Sequence, residues 1–551
     1  MEVRAAIGLP RSALAPKELA LVFVAFAALA LALYSRSLAG EFLSDDLGYI
    51  VTNPWVQSLT LENTQAILDP FGAPAAYTAN WAPVHLLVHA LEWKLFGAQT
   101  LGWRIVNVLA HALISTLLVS VFLRAGATRA AALLAALVFL VHPANVEVVA
   151  WISQLKTILC LGFGLGAVLL HPRRPALAAL LFALGILSKT TAVFALPVAV
   201  LLALRRERDP DTEPRRIDWL VVWGLVFAAY ALPQLLAFER LGEAQGAIVP
   251  ASAADRFRTM VAIAARYLVM AATSYGVATF QEPPAPRSWL DPWFVAGVAA
   301  GMPLAVHASR AVVTRRAEGA FWLWAAAAYA PVSQIFPFLY PMADRYLYVV
   351  LPGLAGVACL AAARVPSKGA VRWVSLVAGI ALAAFFSVRT FERSLVFRSN
   401  LSTQVDSARA WPEGIAGSFL SARRAAASGD VDGVVVLIRR AANAGFDGWS
   451  QLDGDPGFAG VRNDPRFRAL VHEVAGRWIA IARSRGASTR LELRALARAH
   501  AVRGEWPEAV DALERATAVG GVADAEVAAE LARARRALGD DPERSEGAAP
   551  R

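Results

Sequence analysis

Two cysteines in 551 residues leave no material for a disulfide framework. Both, Cys160 and Cys359, lie inside apolar runs, which argues against a thiolate metal site and makes them small hydrophobes facing lipid or core. Phosphate-cradling loops of the P-loop or dinucleotide kind are also missing. The one glycine-rich candidate, Gly162 to Gly166, falls inside an apolar helix, where it serves packing. No basic stretch interleaved with aromatics occurs, so nucleic acid is not an expected partner despite a formal charge of +10. Charge itself is scarce, at 17% against 57% hydrophobic residues. A mean hydropathy of +0.48 is far above that of a soluble globular chain.

The scarcity of charge is concentrated before Arg393. Two domains are expected: residues 1–392 as a bundle of apolar membrane helices and residues 393–551 as a water-soluble helical domain. The fold class is therefore all-α, a polytopic transmembrane bundle with a soluble C-terminal module. The run Leu19 to Tyr34 is uncharged and follows Arg4, Arg11 and Lys17 without a small-residue cleavage site, so it reads as a retained first helix with a cytoplasmic N-terminus. Between Arg36 and Lys94 there is no Lys or Arg, while Glu41, Asp45, Asp46, Glu62, Asp69 and Glu92 are acidic; this loop is expected outside. Further spans near 100–123, 130–150, 157–171, 175–188, 190–204, 217–237, 292–309, 320–338, 346–363 and 373–389 make about 11 crossings. Basic turns, including Arg124–Arg129, Arg173–Arg174, Arg205 to Arg216, Arg310 to Arg316 and Arg364 to Arg372, then fall inside. The odd count puts the tail outside. Val84 to Gly97 is too short to cross, and Thr259 to Thr279 would invert every later loop, so both are assigned to the outer face.

In the tail, Leu496 to Gly520 carries small residues at Ala497, Ala509 and Ala516 and a Gly504-Glu505-Trp506 turn, matching the 34-residue tetratricopeptide pattern. A weaker copy has Gly429, Asp430 and Ala441 in the corresponding places. An unrelated helical hairpin bundle is the plainer alternative. Either way the tail reads as a binding module, since it lacks clustered acids, Cys or His suited to chemistry.

Ionisable residues inside or at the ends of membrane helices are costly, and each is a functional hypothesis. On the expected topology Asp45, Asp46, His142, Glu147, Lys156, Lys189, Asp344 and Arg345 all fall on the outer face. The adjacent carboxylates Asp45 and Asp46 could share a general-base role, or form a solvated acidic turn. His142 and Glu147 sit five residues apart around Pro143; a metal site would need further ligands at sensible spacing, which the sequence does not offer, and a divalent cation stays an open alternative. Lys156, Lys189 and Arg345 suit a phosphate of a lipid carrier. Snorkelling explains each lysine singly but explains three cations together less well, because the outer face should be depleted of basic residues.

In order along the chain, EFLSDDLGYIVTNP, HALEWKLFG, GWRIVNVLAHAL, HPANVEVVAWISQLK, LSKTTAV and PMADRYLYV resemble the TMTC-like membrane proteins of the GT-C glycosyltransferase superfamily, which carry appended tetratricopeptide repeats. The resemblance covers about 390 residues of membrane domain. It implies an O-mannosyltransferase-like enzyme of the bacterial inner membrane that moves a sugar from a polyprenyl-phosphate donor to a protein or glycan acceptor on the extracytoplasmic face, with the C-terminal domain on that side. It further implies Asp45 or Asp46 as the base, Lys156, Lys189 and Arg345 as contacts to the donor phosphate, and His142, Glu147, Asp344 and Tyr348 as the sugar and acceptor pocket. One position departs: where relatives commonly carry an Arg before the proline that opens the short outer helix, this chain reads Trp81-Ala82-Pro83. The competing reading is a non-catalytic membrane-anchored scaffold that recruits periplasmic partners. A transporter is disfavoured, because half-to-half symmetry is lacking and the polar residues gather on one face.

Overall fold

The computed structural model of the protein describes residues 14–78, 80–206, 217–242, 252–335, 341–364, 370–484, 486–487, 490–518 and 525–539. Among these every regular element is helical and no strand occurs, which makes the fold all-α. The orienting residues Arg4, Arg11, Arg208, Arg215, Arg216 and Lys368 lie outside the described residues.

Among the described residues seven helices are long and apolar enough to cross a bilayer: Pro16–Tyr34, Thr100–Arg124, Ile152–Leu170, Ile217–Leu235, Pro292–Val313, Asp344–Ala363 and Trp373–Arg398. An eighth arises if Arg129–Leu140 and Pro143–Ala150, bent by 47° at their junction, count as one span. The chain is an integral membrane protein. The expected eleven crossings are not reached by length and composition, and the shortfall has a local cause. The expected spans 175–188 and 190–204 become helices of 14 residues (Pro175–Ser188) and 12 residues (Ala195–Arg206), separated by a 3-10 turn after Lys189. At 1.5 Å per residue, twelve residues cover about 18 Å of a core about 30 Å thick. The expected span 320–338 likewise stops as a helix at Tyr329.

The two stretches assigned to the outer face also form helices. Pro83–Phe96 buries His85, His89 and Glu92, so its polar side faces protein. Ala253–Thr273 carries Asp255, Arg256, Arg258 and Arg266, and buries Ala262, Ile263, Tyr267 and Met270.

By contacts the chain divides into two compact units, one of Met1–Pro70, Trp81–Leu235 and Val249–Asp406, the other of Phe71–Asn80, Leu236–Ile248 and Ser407–Arg551. In the first, large apolar side chains that meet no protein are those a bilayer would cover, among them Leu21, Leu225, Val371 and Val374. Close helix approach inside the unit rests on small residues. A Cβ at Gly353 would lie 2.7 Å from the Ala325 backbone nitrogen and 2.8 Å from the Phe321 carbonyl oxygen, and one at Gly356 would meet the Phe321 ring.

The second unit has its own core, including Phe419, Val434, Ile438, Leu452, Phe458, Phe467, Val474 and Leu513. Both repeat-like segments fold as helical hairpins, Ile415–Ala427 with Val431–Asn443 and Arg490–Val502 with Trp506–Ala518. Each turns on a glycine at positive φ, Gly429 at 75° and Gly504 at 76°, where a Cβ would be strained. Asp430 then caps the second helix of its hairpin by accepting the Gly433 N–H at 2.8 Å.

Gly353→Leu should prevent Leu347–Ala363 from seating on Ala317–Tyr329, because the colliding atoms are backbone. Folded yield and thermal midpoint in detergent are expected to fall sharply. Gly301→Leu, where a Cβ meets nothing within 4 Å, is the matched control and should be tolerated.

Candidate functional site

The acidic loop after the first helix is held from several directions. Arg104, fully buried in Thr100–Arg124, donates from Nη1 to the carbonyls of Ser37 at 2.6 Å and Phe397 at 2.8 Å, and from Nη2 to that of Glu41 at 2.6 Å. Gly40 has to be glycine for this, since a Cβ there would sit 2.8 Å from the guanidinium. Asn400 accepts the Ser44 N–H through Oδ1 at 2.9 Å and donates from Nδ2 to the Phe42 carbonyl at 3.1 Å. Trp151 Nε1 donates to the Leu43 carbonyl at 3.1 Å. Ser44, pinned in this way, has a φ of 38°, an unusual value for a residue with a Cβ.

These constraints give the two aspartates opposite environments. Asp46 is fully buried; its Oδ2 accepts the Leu43 N–H at 2.9 Å and its Oδ1 accepts the Ser153 N–H at 2.8 Å. It thereby ties the loop to the chain preceding Lys156. Burial pushes its carboxyl up to about 6, against the opposing pull of those two N–H groups and of Arg104. Asp45 is exposed and makes no hydrogen bond or ion pair with the described residues. Its charge acts on Arg345.

The three cations singled out in the sequence are brought together. Lys189 lies at the break between two short helices and donates from Nζ to Thr157 Oγ1 at 2.9 Å. It interacts electrostatically with Lys156, Arg345 and Glu147. Lys156, in the first turn of Leu155–Leu170, is 9% exposed; its ammonium stands 4.1 Å over the Tyr49 ring and makes no hydrogen bond or ion pair among the described residues. Arg345 is clamped by Glu147, which accepts from its Nη1 at 2.6 Å and from its backbone N–H at 2.7 Å.

The remaining candidates have their polar atoms engaged inside the protein. His142 Nε2 donates to the Ala271 carbonyl at 3.1 Å, leaving Nδ1 to accept the Ala144 N–H at 3.2 Å. Asp344 accepts from Arg393 Nη2 at 3.1 Å and from Gln281 Nε2 at 2.7 Å. Tyr348 Oη lies 2.9 Å from His111 Nδ1; since His111 Nε2 donates to the Leu140 carbonyl at 3.0 Å, the phenol is the donor. Among the described residues no three His, Cys, Asp or Glu side chains come together as a metal-ligand set.

Sequence reasoning passed over four residues that this geometry makes prominent. Arg104 and Arg393 sit inside apolar spans, where an intramembrane charge was the available signal. Tyr49 and His85 gave none: an aromatic in a loop and a His in a short helix are ordinary.

No protein-family model matches the chain. Similar curated proteins exist. A protein O-mannosyl-transferase of Caenorhabditis elegans is 29% identical over 203 residues, 34% of this chain and 29% of that protein. Protein O-mannosyl-transferase TMTC4 of Homo sapiens is 31% identical over 169 residues, 28% of this chain and 22% of the relative. Protein O-mannosyl-transferase TMTC1 of Mus musculus is 31% identical over 164 residues, 28% of this chain and 17% of the relative. The matched relatives are thus TMTC-type protein O-mannosyl-transferases, the family that the ordered motifs resemble. The chain spans less than a third of the length of each of these relatives.

At pH 4 Asp46→Asn should cost about 1–3 kcal/mol, because an amide can accept only one of the two N–H groups that the carboxyl caps. The cost should depend on pH. An unfolded Asp titrates near 4, so between about 4 and about 6 the folded protein keeps a proton that the unfolded chain has lost, and wild-type stability declines as pH rises through that window. The thermal midpoint of wild type minus that of the variant should therefore fall from pH 4 to pH 6 and level off above. A gap that does not change with pH would contradict this assignment.

Proposed function

We propose that this protein is a membrane glycosyltransferase of the protein O-mannosyl-transferase type, which takes a sugar from a polyprenyl-phosphate carrier and passes it to a hydroxyl acceptor on the extracytoplasmic face. The observation that carries the reading is the meeting of Lys156, Lys189 and Arg345 in one neighbourhood with an unbonded carboxylate, Asp45. Three cations of which, among the described residues, Arg345 alone is ion-paired, to Glu147, have capacity left for an anion. The similarity to O-mannosyl-transferases supports mannose as the sugar.

In this reading Asp45 is the general base. It removes the proton of the acceptor hydroxyl as that oxygen bonds to the anomeric carbon and the bond from that carbon to the phosphate oxygen breaks. Lys156, Lys189 and Arg345 stabilise the charge gathering on the departing lipid phosphate. Asp46 positions its neighbour rather than taking the proton, since both its oxygens already accept backbone N–H groups. Glu147 sets the orientation of Arg345, and His142, Asp344 and Tyr348 form the walls of the sugar and acceptor pocket. Residues 1–392 constitute the catalytic domain, and residues 393–551, read as tetratricopeptide-like hairpins, present the acceptor. The absence of Lys and Arg between Arg36 and Lys94 supports the extracytoplasmic side for the site.

Asp45→Asn is the direct test, measured as sugar transfer from a polyprenyl-phosphate mannose donor by the purified full chain. Transfer should drop at least about 10²-fold, the usual contribution of a general base. The thermal midpoint should not move, because the carboxylate makes no hydrogen bond or ion pair among the described residues. A variant that transfers sugar at the wild-type rate removes the enzyme reading and leaves the scaffold.

A further inference from the structure

The site holds a group for which neither the fold nor the proposed reaction has a use. His85 lies in the first turn of Pro83–Phe96, with no part of it exposed. Its ring is packed between Tyr49, at a centroid distance of 5.2 Å, and His89, at 4.2 Å. His89 is partnered, with Nδ1 at 2.7 Å from Glu92 Oε2. His85 is not: among the described residues neither ring nitrogen makes a hydrogen bond. The Ser153 carbonyl is near enough to act on the imidazole without reaching hydrogen-bond geometry. A buried imidazole with both nitrogens unsatisfied is costly, and purely apolar packing would be served better by an apolar ring.

Its surroundings select the missing partner. The Tyr49 ring that His85 touches also carries the Lys156 ammonium, and Lys156 and Lys189 both act on His85 electrostatically. The N-terminus of a 14-residue helix adds N–H groups and the positive end of its dipole. The two lysines and the helix N-terminus favour an anion at the imidazole. Burial first, then His89 and the two lysines, hold the His85 pKa well below its ordinary value, so the ring is neutral and has one N–H to donate. The turn before it, Trp81-Ala82-Pro83, contains no cation.

We propose that His85 is a further phosphate-binding residue of this site, donating a ring N–H to a phosphate oxygen of the polyprenyl carrier beside Lys156 and Lys189. This rests on the glycosyltransferase reading above. It adds a specificity element: a neutral, directional donor next to two point charges fixes the orientation of the phosphate rather than merely attracting it.

The experiment is equilibrium binding of undecaprenyl phosphate to the detergent-purified full chain, as wild type, His85→Phe and His85→Gln. Alongside it, ¹⁵N-histidine spectra of the wild type are recorded with and without lipid. His85→Phe should bind at least tenfold more weakly, and His85→Gln, which retains a donor, should recover most of the loss. One imidazole resonance, absent from His85→Gln, should shift on lipid addition. Because the spectra use the wild type, the test survives if His85→Phe does not fold. Equal binding by the His85 variants with no imidazole shift overturns the proposal while leaving the enzyme reading standing. A wild type that binds no undecaprenyl phosphate takes down both. Inorganic phosphate at the same concentration should produce no shift, and an equal shift would overturn the lipid assignment.

Discussion

The membrane unit depends on a buried arginine that forms no ion pair among the described residues. Arg104 spends its two terminal nitrogens on three carbonyls, those of Ser37, Glu41 and Phe397. Those carbonyls belong to chain ends with no helical partner to offer them: the exit of the first span, the acidic loop, and the 3-10 turn that closes the last span. A guanidinium suits this task because its donors form a rigid planar fork that stays charged in a poor solvent, whereas an ammonium would gather the same oxygens less directionally. The strict space at Gly40 is the converse of that fit.

With the loop so fixed, the chemistry of its two aspartates follows from geometry. Successive residues after the strained Ser44 point to different environments, and the one turned inward becomes a cap for Leu43 and Ser153. That cap couples the loop to the start of Leu155–Leu170, and so to Lys156. The other charged residues lie at comparable interruptions: Lys189 between two short helices, Arg345 within the 3-10 turn Asp344–Tyr346, and its partner Glu147 just past the 47° bend at Pro143. Broken helices are tolerated in a membrane protein where the freed backbone is buried or lines a cavity. Here the breaks converge on charged side chains.

Much of this was legible in the residues. Apolar runs marked the spans, the acid-only interval after Arg36 marked the loop, and the glycine turns marked both hairpins of the tail. The count of crossings was not legible. Hydropathy reports that a segment is apolar, but not that Lys189 interrupts a pair of helices or that Tyr329 ends one early. Nor could spacing separate Asp45 from Asp46, because adjacent side chains diverge and only the partners Leu43 and Ser153 tell them apart. His85 was missed for a related reason. A histidine within an apolar helix has an innocuous reading, and what makes this one unusual, two nitrogens without partners, is a property of its surroundings.

Charge accounting explains why the cations are treated unequally. Arg345 is bound by Glu147 through both its guanidinium and its backbone, so its position is set before any ligand arrives. Lys189 has a hydroxyl and Lys156 only a π face. An ammonium that is 9% exposed and has no anion pays a desolvation penalty that a ring quadrupole offsets in part. A group of this kind is better explained as the receiving half of an interaction than as a strut, since a strut would be completed by the protein. The same test applied to His142, Asp344 and Tyr348 gives the opposite answer, because their partners are all internal. In the proposed reading the distinction between completed and uncompleted polar groups separates the walls of the site from its working face, and it puts Asp45, Lys156 and His85 on the same side of that line.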